Sequence, residues 1–328
     1  MMKKYLSTSL KIISSLLILY LLFANIDFNS QEFTATWKDI NLGWLLLALP
    51  VVILVLGIKS LRWKAIIAAQ GYRYGFMAAL SAYFASYSLG VVTPGRLGEL
   101  LKVYNLRKDQ PHIEVLPAFA TVVLDRLFDM FFLLWFGLSG LVFFFAPFGE
   151  MATGLILLFV LIFLIVGLVS ANLLLNWILK KYPARNAMLV FVQTCFSQML
   201  SAHNAGAWLL TGLAYAIYFA GIQILFLAVQ IQIPILETGF IISLIGLLLL
   251  LPISVAGFGT REAGLVFLLA FYNISPETAL SFSLLQFLTF FVWGGLVGLV
   301  FWMISPIPLS IIRSDTQKLF KKIKKSIS

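Results

Sequence analysis

Cysteine is almost missing from this chain: Cys195 stands alone, so no intramolecular disulfide and no cysteine-built metal site can form. Histidine is nearly as scarce, and His112 and His203 lie too far apart to suggest zinc ligation. No metal or other cofactor is therefore expected. Charged residues make up only 11% of the chain, and no polar stretch is long enough for a separate soluble catalytic domain. The stretch Gly90 to Arg96 mimics the start of a nucleotide-phosphate loop. Such a loop needs Lys followed by Ser or Thr after a strand, whereas Arg96-Leu97 stands inside an apolar segment, so no ATP site is visible.

What the chain has instead is apolar length. Of 328 residues, 61% are hydrophobic and the mean hydropathy is +1.01, which marks an all-α integral membrane protein. The net charge of +10 would point to nucleic acid in a soluble protein. Here the cations gather in short loops and in the tail, a pattern of orientation and lipid contact, and no nucleic-acid partner is expected. Six full spans are predicted: Leu10 to Ile26, Trp44 to Ile58, Leu116 to Phe145, Gly154 to Trp177, Trp208 to Val229 and Leu280 to Ile304. The first is read as an uncleaved span, because Phe23-Ala24-Asn25 is a poor cleavage site for a signal peptide. Asn186 to His203 is only moderately apolar and is read as an interfacial helix.

Two apolar segments are broken. Ala82 to Lys102 is interrupted at Thr93-Pro94-Gly95 and then carries Arg96 and Glu99. Leu251 to Glu262 repeats the grammar, with Gly257 and Gly259 before Arg261 and Glu262. Cations flank the first broken segment on both sides, while the loops around the second carry none. Each is therefore read as a re-entrant hairpin, about 76–104 from the cytoplasmic side and about 240–273 from the external side. Setting aside Arg126 and Arg261 at membrane depth, and counting Arg96 with its hairpin, this layout puts every Lys and Arg except Lys38 on the cytoplasmic side. It predicts a first membrane repeat over 1–150, an inverted second repeat over 151–305 and a basic tail over 306–328. Both termini are then cytoplasmic, in a multi-pass protein of the cytoplasmic membrane.

A charge at membrane depth costs at least about 2.5 kcal/mol, so such residues usually face a cavity or a partner. Arg96 and Arg261 stand at helix breaks, where free amide donors add to an anion site; Glu99 and Glu262 would hold the guanidinium groups. A structural ion pair locking each hairpin is the plainer alternative. Asp125, Arg126 and Asp129 share one span, with the two carboxylates on one face. Three readings stand for them: a structural network, a further cation for a phosphate at Arg126, and proton uptake at Asp125 and Asp129. Tyr83, Ser86, Tyr87 and Ser88, with Ser254, Ser281, Ser283 and Gln286, line either a polar headgroup path or ordinary helix contacts. Gly294 and Gly298 are helix-packing residues.

At these residues the chain resembles the flippase-like membrane domain of the lysylphosphatidylglycerol synthases, the multiple peptide resistance factors. The resemblance rests on Thr93 to Glu99, Leu124 to Asp129 and Pro252 to Glu262, and it covers about residues 10 to 304. It implies movement of a lipid, often one with a modified or anionic headgroup, between leaflets of a bacterial or archaeal cytoplasmic membrane. Because the chain ends at Ser328, no aminoacyl-transfer domain is expected to follow.

The expected function is thus a lipid flippase or lipid-phosphate transporter, not an enzyme, acting on a phospholipid or polyprenyl-phosphate-type lipid. Arg96, Glu99, Arg126, Arg261 and Glu262 would form the headgroup site. The partner is an anionic or phosphate-bearing membrane lipid, and homo-oligomer formation is left open. Two rivals come from other classes: a membrane-embedded lipid headgroup transferase, and an accessory subunit of a lipid synthase.

Overall fold

A hydrocarbon environment offers no partner to an open backbone amide, so an apolar chain crossing it must satisfy its hydrogen bonds within helices. The computed structural model describes residues 16–24, 26, 28–93, 98–145, 153–181, 187–251, 254 and 257–304, and among them there is no strand. The helices are α1 (16–24), α2 (Ser30–Lys38), α3 (Leu42–Ala69), α4 (Phe76–Val92), α5 (Leu101–Asp109), α6 (Val115–Phe145) and α7 (Thr153–Lys181). They continue with α8 (Ala187–Leu200), α9 (Ala205–Ala228), α10 (Ile235–Leu250), α11 (Thr260–Ala270), α12 (Pro276–Gln286) and α13 (Gly294–Ile304).

Five helical stretches are long and apolar enough to cross a membrane: Leu42–Ala69, Val115–Phe145, Thr153–Lys181, Ala202–Ala228 and Pro276–Ile304. Of the first predicted span, Leu10 to Ile26, residues 16–24 and 26 are described, and 16–24 is helical. The predicted second span ends too early. Its helix runs past Ile58 to Ala69, which brings Lys59 and Arg62 off a supposed loop and onto a helix. The loop before it also holds an unforeseen helix, α2. Asn29 caps it, its side chain accepting from the Gln31 and Glu32 amides, while the Asn29 amide donates to Glu277 at 2.7 Å.

The chain divides into two compact units, each drawn from both halves of the sequence. The first comprises Met1–Val55, Leu133–Ile156 and Ala216–Gly295. Its core is aromatic: Phe136 meets Phe219 at 4.9 Å, Phe143 meets Phe240 at 5.5 Å, and Phe226 meets Phe282 at 4.3 Å between ring centres. Glycines on α6 permit close approach of α10. A methyl group on Gly137 would lie 2.4 Å from Leu247, and one on Gly140 would lie 2.8 Å from Phe240. Between α12 and α13 the helix widens into a π-helical stretch, Phe287–Trp293.

The second unit comprises Leu56–Phe132, Leu157–Tyr215 and Leu296–Ser328. Trp208 is gripped edge-on by Phe128 at 5.0 Å and Phe131 at 4.7 Å. Trp63 donates its indole N–H to Thr121 at 3.0 Å. A side chain at Gly298 would come within 2.4 Å of the Phe84 carbonyl oxygen, so α13 lies backbone-close to α4 and the glycine is a packing residue as expected. The helix α8 is tied to α7 by Gln193, which donates to Asn176 at 2.8 Å. Along α7 itself, Leu155, Phe159, Phe163, Val166 and Leu173 stay exposed, as on a helix that faces lipid.

Candidate functional site

The second unit brings seven charged side chains together from three segments. Asp125, Arg126 and Asp129 fall mid-helix on α6, Lys59 and Arg62 on the late turns of α3, and Glu99 and Lys102 where residues 98–100 lead into α5. Arg62 is the hub. Its Nε and Nη2 donate to Asp125 Oδ1 at 2.9 and 2.6 Å, and its Nη1 donates to Asp129 Oδ1 at 2.6 Å. The other Asp125 oxygen accepts from Lys102 Nζ at 2.7 Å and from the Tyr83 hydroxyl at 3.2 Å. Asp129 Oδ1 also accepts from Lys59 Nζ at 3.0 Å, and its Oδ2 lies 3.6 Å from Arg126. Arg126 is ion-paired to Glu99 as well, and Lys102 lies 3.7 Å from Glu99.

Burial divides this network into a closed part and an open edge. The side chains of Arg62 and Asp125 are 0% exposed, and that of Lys102 is 1%. Lys59 at 21% and Arg126 at 33% form the edge. Four cations face three carboxylates, so among the described residues the cluster carries one positive charge in excess. A net-positive cluster whose buried members are mutually compensated, and whose exposed members are both cations, is suited to an anion. Lys59 is further held over the Tyr215 ring at 5.6 Å, and Lys102 over the Tyr83 ring at 4.4 Å.

Asp125 and Asp129 do share a face, as the sequence spacing predicts, but their surroundings are ionic and not merely apolar. Glu99 turns to Arg126 and Lys102. Arg96, Pro94 and Gly95 lie outside the described residues. The chain on either side of the first break is described up to Thr93 and from Gly98. There the Gly98 amide donates to Thr93 Oγ1 at 2.8 Å, and a methyl group on Gly98 would lie 2.2 Å from the Leu89 carbonyl carbon. The chain thus returns against the end of α4, with only a glycine's width between backbones.

In the first unit, Gly257 and Gly259 adopt φ of 85° and 84°, the left-handed region that the break requires. Glu262 Oε2 accepts from the Gly259 amide at 2.7 Å, while its Oε1 is bonded to Arg261 and to the Ser283 hydroxyl. Arg261 Nε also meets Ser283 Oγ at 3.0 Å, and its guanidinium stacks near Phe287 at 5.0 Å. Glu262 thus pairs with Arg261 and caps the start of α11 at once.

Sequence reasoning missed Lys59, Arg62 and Lys102, which it counted as loop cations that set orientation. The signal was present on α3. No Pro or Gly falls between Gly57 and Gly71, Trp63, Ile66 and Ile67 continue an apolar face, and Lys59 and Arg62, three apart, share a helix face just as Asp125 and Asp129, four apart, do.

These observations define a helical membrane protein with a buried ionic cluster. The sequence model of the lysylphosphatidylglycerol synthase transmembrane region matches residues 8–298, and the chain belongs to that family. It is also similar to a UPF0104 membrane protein of Methanocaldococcus jannaschii, 26% identical over 324 residues, covering 90% of this chain and 93% of the relative.

Proposed function

We propose that this protein is a lipid carrier that takes a phosphate-bearing headgroup at the Lys59–Arg126 edge and passes it between leaflets of the cytoplasmic membrane. The observation that carries this reading is the cation excess among the described residues, whose most exposed members are Lys59 and Arg126 while Arg62 and Lys102 are committed to Asp125 within. In this reading the acyl or isoprenoid chains stay in the bilayer, and the protein makes no covalent change to the lipid. Asp129 and Glu99 act as placeholders that the phosphate replaces on Arg126. Arg96, adjoining Glu99 in the chain, is a further ligand in the proposal. Arg261 and Glu262 hold the second break. Asp125 and Asp129 are counter-ions first, and proton uptake at them is not needed for the carrier to work.

The proposed topology has six spans and two re-entrant hairpins in inverted repeats over 1–150 and 151–305, with both termini cytoplasmic. Two features support the hairpins. Helices α4, α5, α10 and α11 have 17, 9, 16 and 11 residues, each short of the roughly 20 that a span needs. At each break the returning arm packs against the arm before it, through Gly98 on Leu89 and through Gly264 on Ile245.

Reconstituted into liposomes with a fluorescent phospholipid and with a polyprenyl phosphate, the wild-type chain should move label across the bilayer. Lys59→Gln and Arg126→Gln should each slow it about tenfold or more, the effect of losing one charge-assisted bond to phosphate. Equal rates in all three proteins overturn the site, and chemically altered lipid in the product points to a headgroup transferase instead. No movement unless a synthase is added points to an accessory subunit.

Orientation has its own check. A cysteine at the exposed Lys108 should react with a membrane-impermeant maleimide only from the cytoplasmic face. The native Cys195 adds little background, because burial pushes its thiol up to about 11. Labelling of Lys108→Cys from outside would invert the proposed topology.

A further inference from the structure

The first unit holds buried polar atoms that the phosphate site does not use. Gln286 is 4% exposed and Thr289 is 1% exposed, and neither Gln286 Oε1 nor Thr289 Oγ1 has a hydrogen-bond partner. Both lie where α12 passes into the π-helical stretch Phe287–Trp293, three positions apart and hence close along the helix. A π turn bonds each amide five residues back, which takes backbone carbonyls out of their ordinary register, and such turns recur at functional sites.

The surroundings fix this spot in place. Gln286 Nε2 donates to the Tyr218 hydroxyl at 3.4 Å, and the Tyr218 ring stands edge-on to Phe290 at 5.0 Å. On α9, Gly221 leaves no room for a side chain, since a methyl group there would meet Val51 at 2.6 Å and Phe290 at 3.4 Å. One turn earlier, Ser283 is occupied by Glu262, whose charge Arg261 matches. The region is therefore tight and locally neutral, and both of its unmet atoms are oxygens.

We infer that the start of the π-helical stretch is a binding site for Na⁺, held by Gln286 Oε1, Thr289 Oγ1 and backbone carbonyls of the π turn. Hard neutral oxygens without a committed carboxylate suit a monovalent ion; a divalent ion draws on carboxylate ligands. In carriers, backbone carbonyls of unwound helix segments recur as Na⁺ ligands, and the π turn is the comparable departure from α geometry here. Binding stands without the carrier reading, and only the use of Na⁺ as coupling ion rests on it.

The test is thermal unfolding of the purified full chain in detergent, in NaCl, KCl and choline chloride at equal ionic strength. The wild type should show a saturable rise in Tm with Na⁺ and not with choline. Thr289→Val, nearly isosteric, should weaken the apparent Na⁺ affinity about tenfold through the lost oxygen, while Thr289→Ser retains it. Gln286→Leu should abolish the rise, and the Thr289 pair decides the matter if that variant fails to fold. The same Tm in all three salts overturns the site and leaves the oxygens to water. An equal rise with K⁺ overturns the assignment to Na⁺, and an undiminished rise in both Thr289→Val and Gln286→Leu overturns the location. Because Tm is read without lipid movement, a missing Na⁺ effect beside intact transport removes this site alone, and the reverse result removes only the carrier reading.

Discussion

Asp125→Ala is expected to lower the stability of the folded protein by about 3–5 kcal/mol, the cost of stranding buried charges without their counter-ion. Among the described residues, Asp125 is the carboxylate that Arg62 Nε and Nη2 reach, and it takes the short contact from Lys102 Nζ. Both cations are buried, so water cannot replace it. The measurement is thermal unfolding in detergent, beside lipid crossing in liposomes. Asp125→Asn, which keeps the shape and one acceptor, should lose less than Asp125→Ala. In the proposed carrier, lipid crossing should fall in both, because Arg62 also orders Asp129, and Asp129 holds Lys59 at the open edge. An Asp125→Ala protein that melts with the wild type would sink the view of Asp125 as the anchor of the cluster.

Gly98→Ala should disrupt the first break more than Gly264→Ala disturbs the second. The added methyl group would stand 2.2 Å from the Leu89 carbonyl carbon, 2.4 Å from its oxygen and 2.5 Å from the Gly90 nitrogen. All three are backbone atoms, so relief requires the returning arm to move away from α4, at a cost of about 3 kcal/mol, the upper end for overpacking. Gly264→Ala makes the natural comparison. Its methyl would meet the tips of Ile245 and Leu248, at 2.6 and 3.2 Å, which can rotate aside. Thermal unfolding of the two variants separates these cases, and equal losses would refute the backbone contact at Gly98. The movement at Gly98 also displaces Glu99 from Arg126, so under the carrier proposal the Gly98→Ala protein should lose lipid crossing even in preparations that remain monodisperse.

The apolar runs, the two breaks and the pairing of Arg261 with Glu262 were legible in the chain because each depends on neighbours in sequence. Hydropathy over a window of about 20 residues reports the solvent around a helix, and Gly257 and Gly259 declare a left-handed turn whatever packs around them. Adjacent residues such as Arg261 and Glu262 need no fold to find one another.

The charge cluster was legible by half. Asp125 and Asp129 were placed on one face by helical spacing, but their partners are remote: Arg62 lies 63 positions from Asp125 and 67 from Asp129. A lysine or arginine near the end of an apolar run reads the same whether it marks a loop or is buried opposite a carboxylate. Composition and spacing by themselves determined that this is a helical membrane protein with broken segments and charges at depth. Only the tertiary structure decided that Lys59, Arg62 and Lys102 belong to the site and that Glu99 serves Arg126, because which charges meet depends on which helices pack together, and packing is not local.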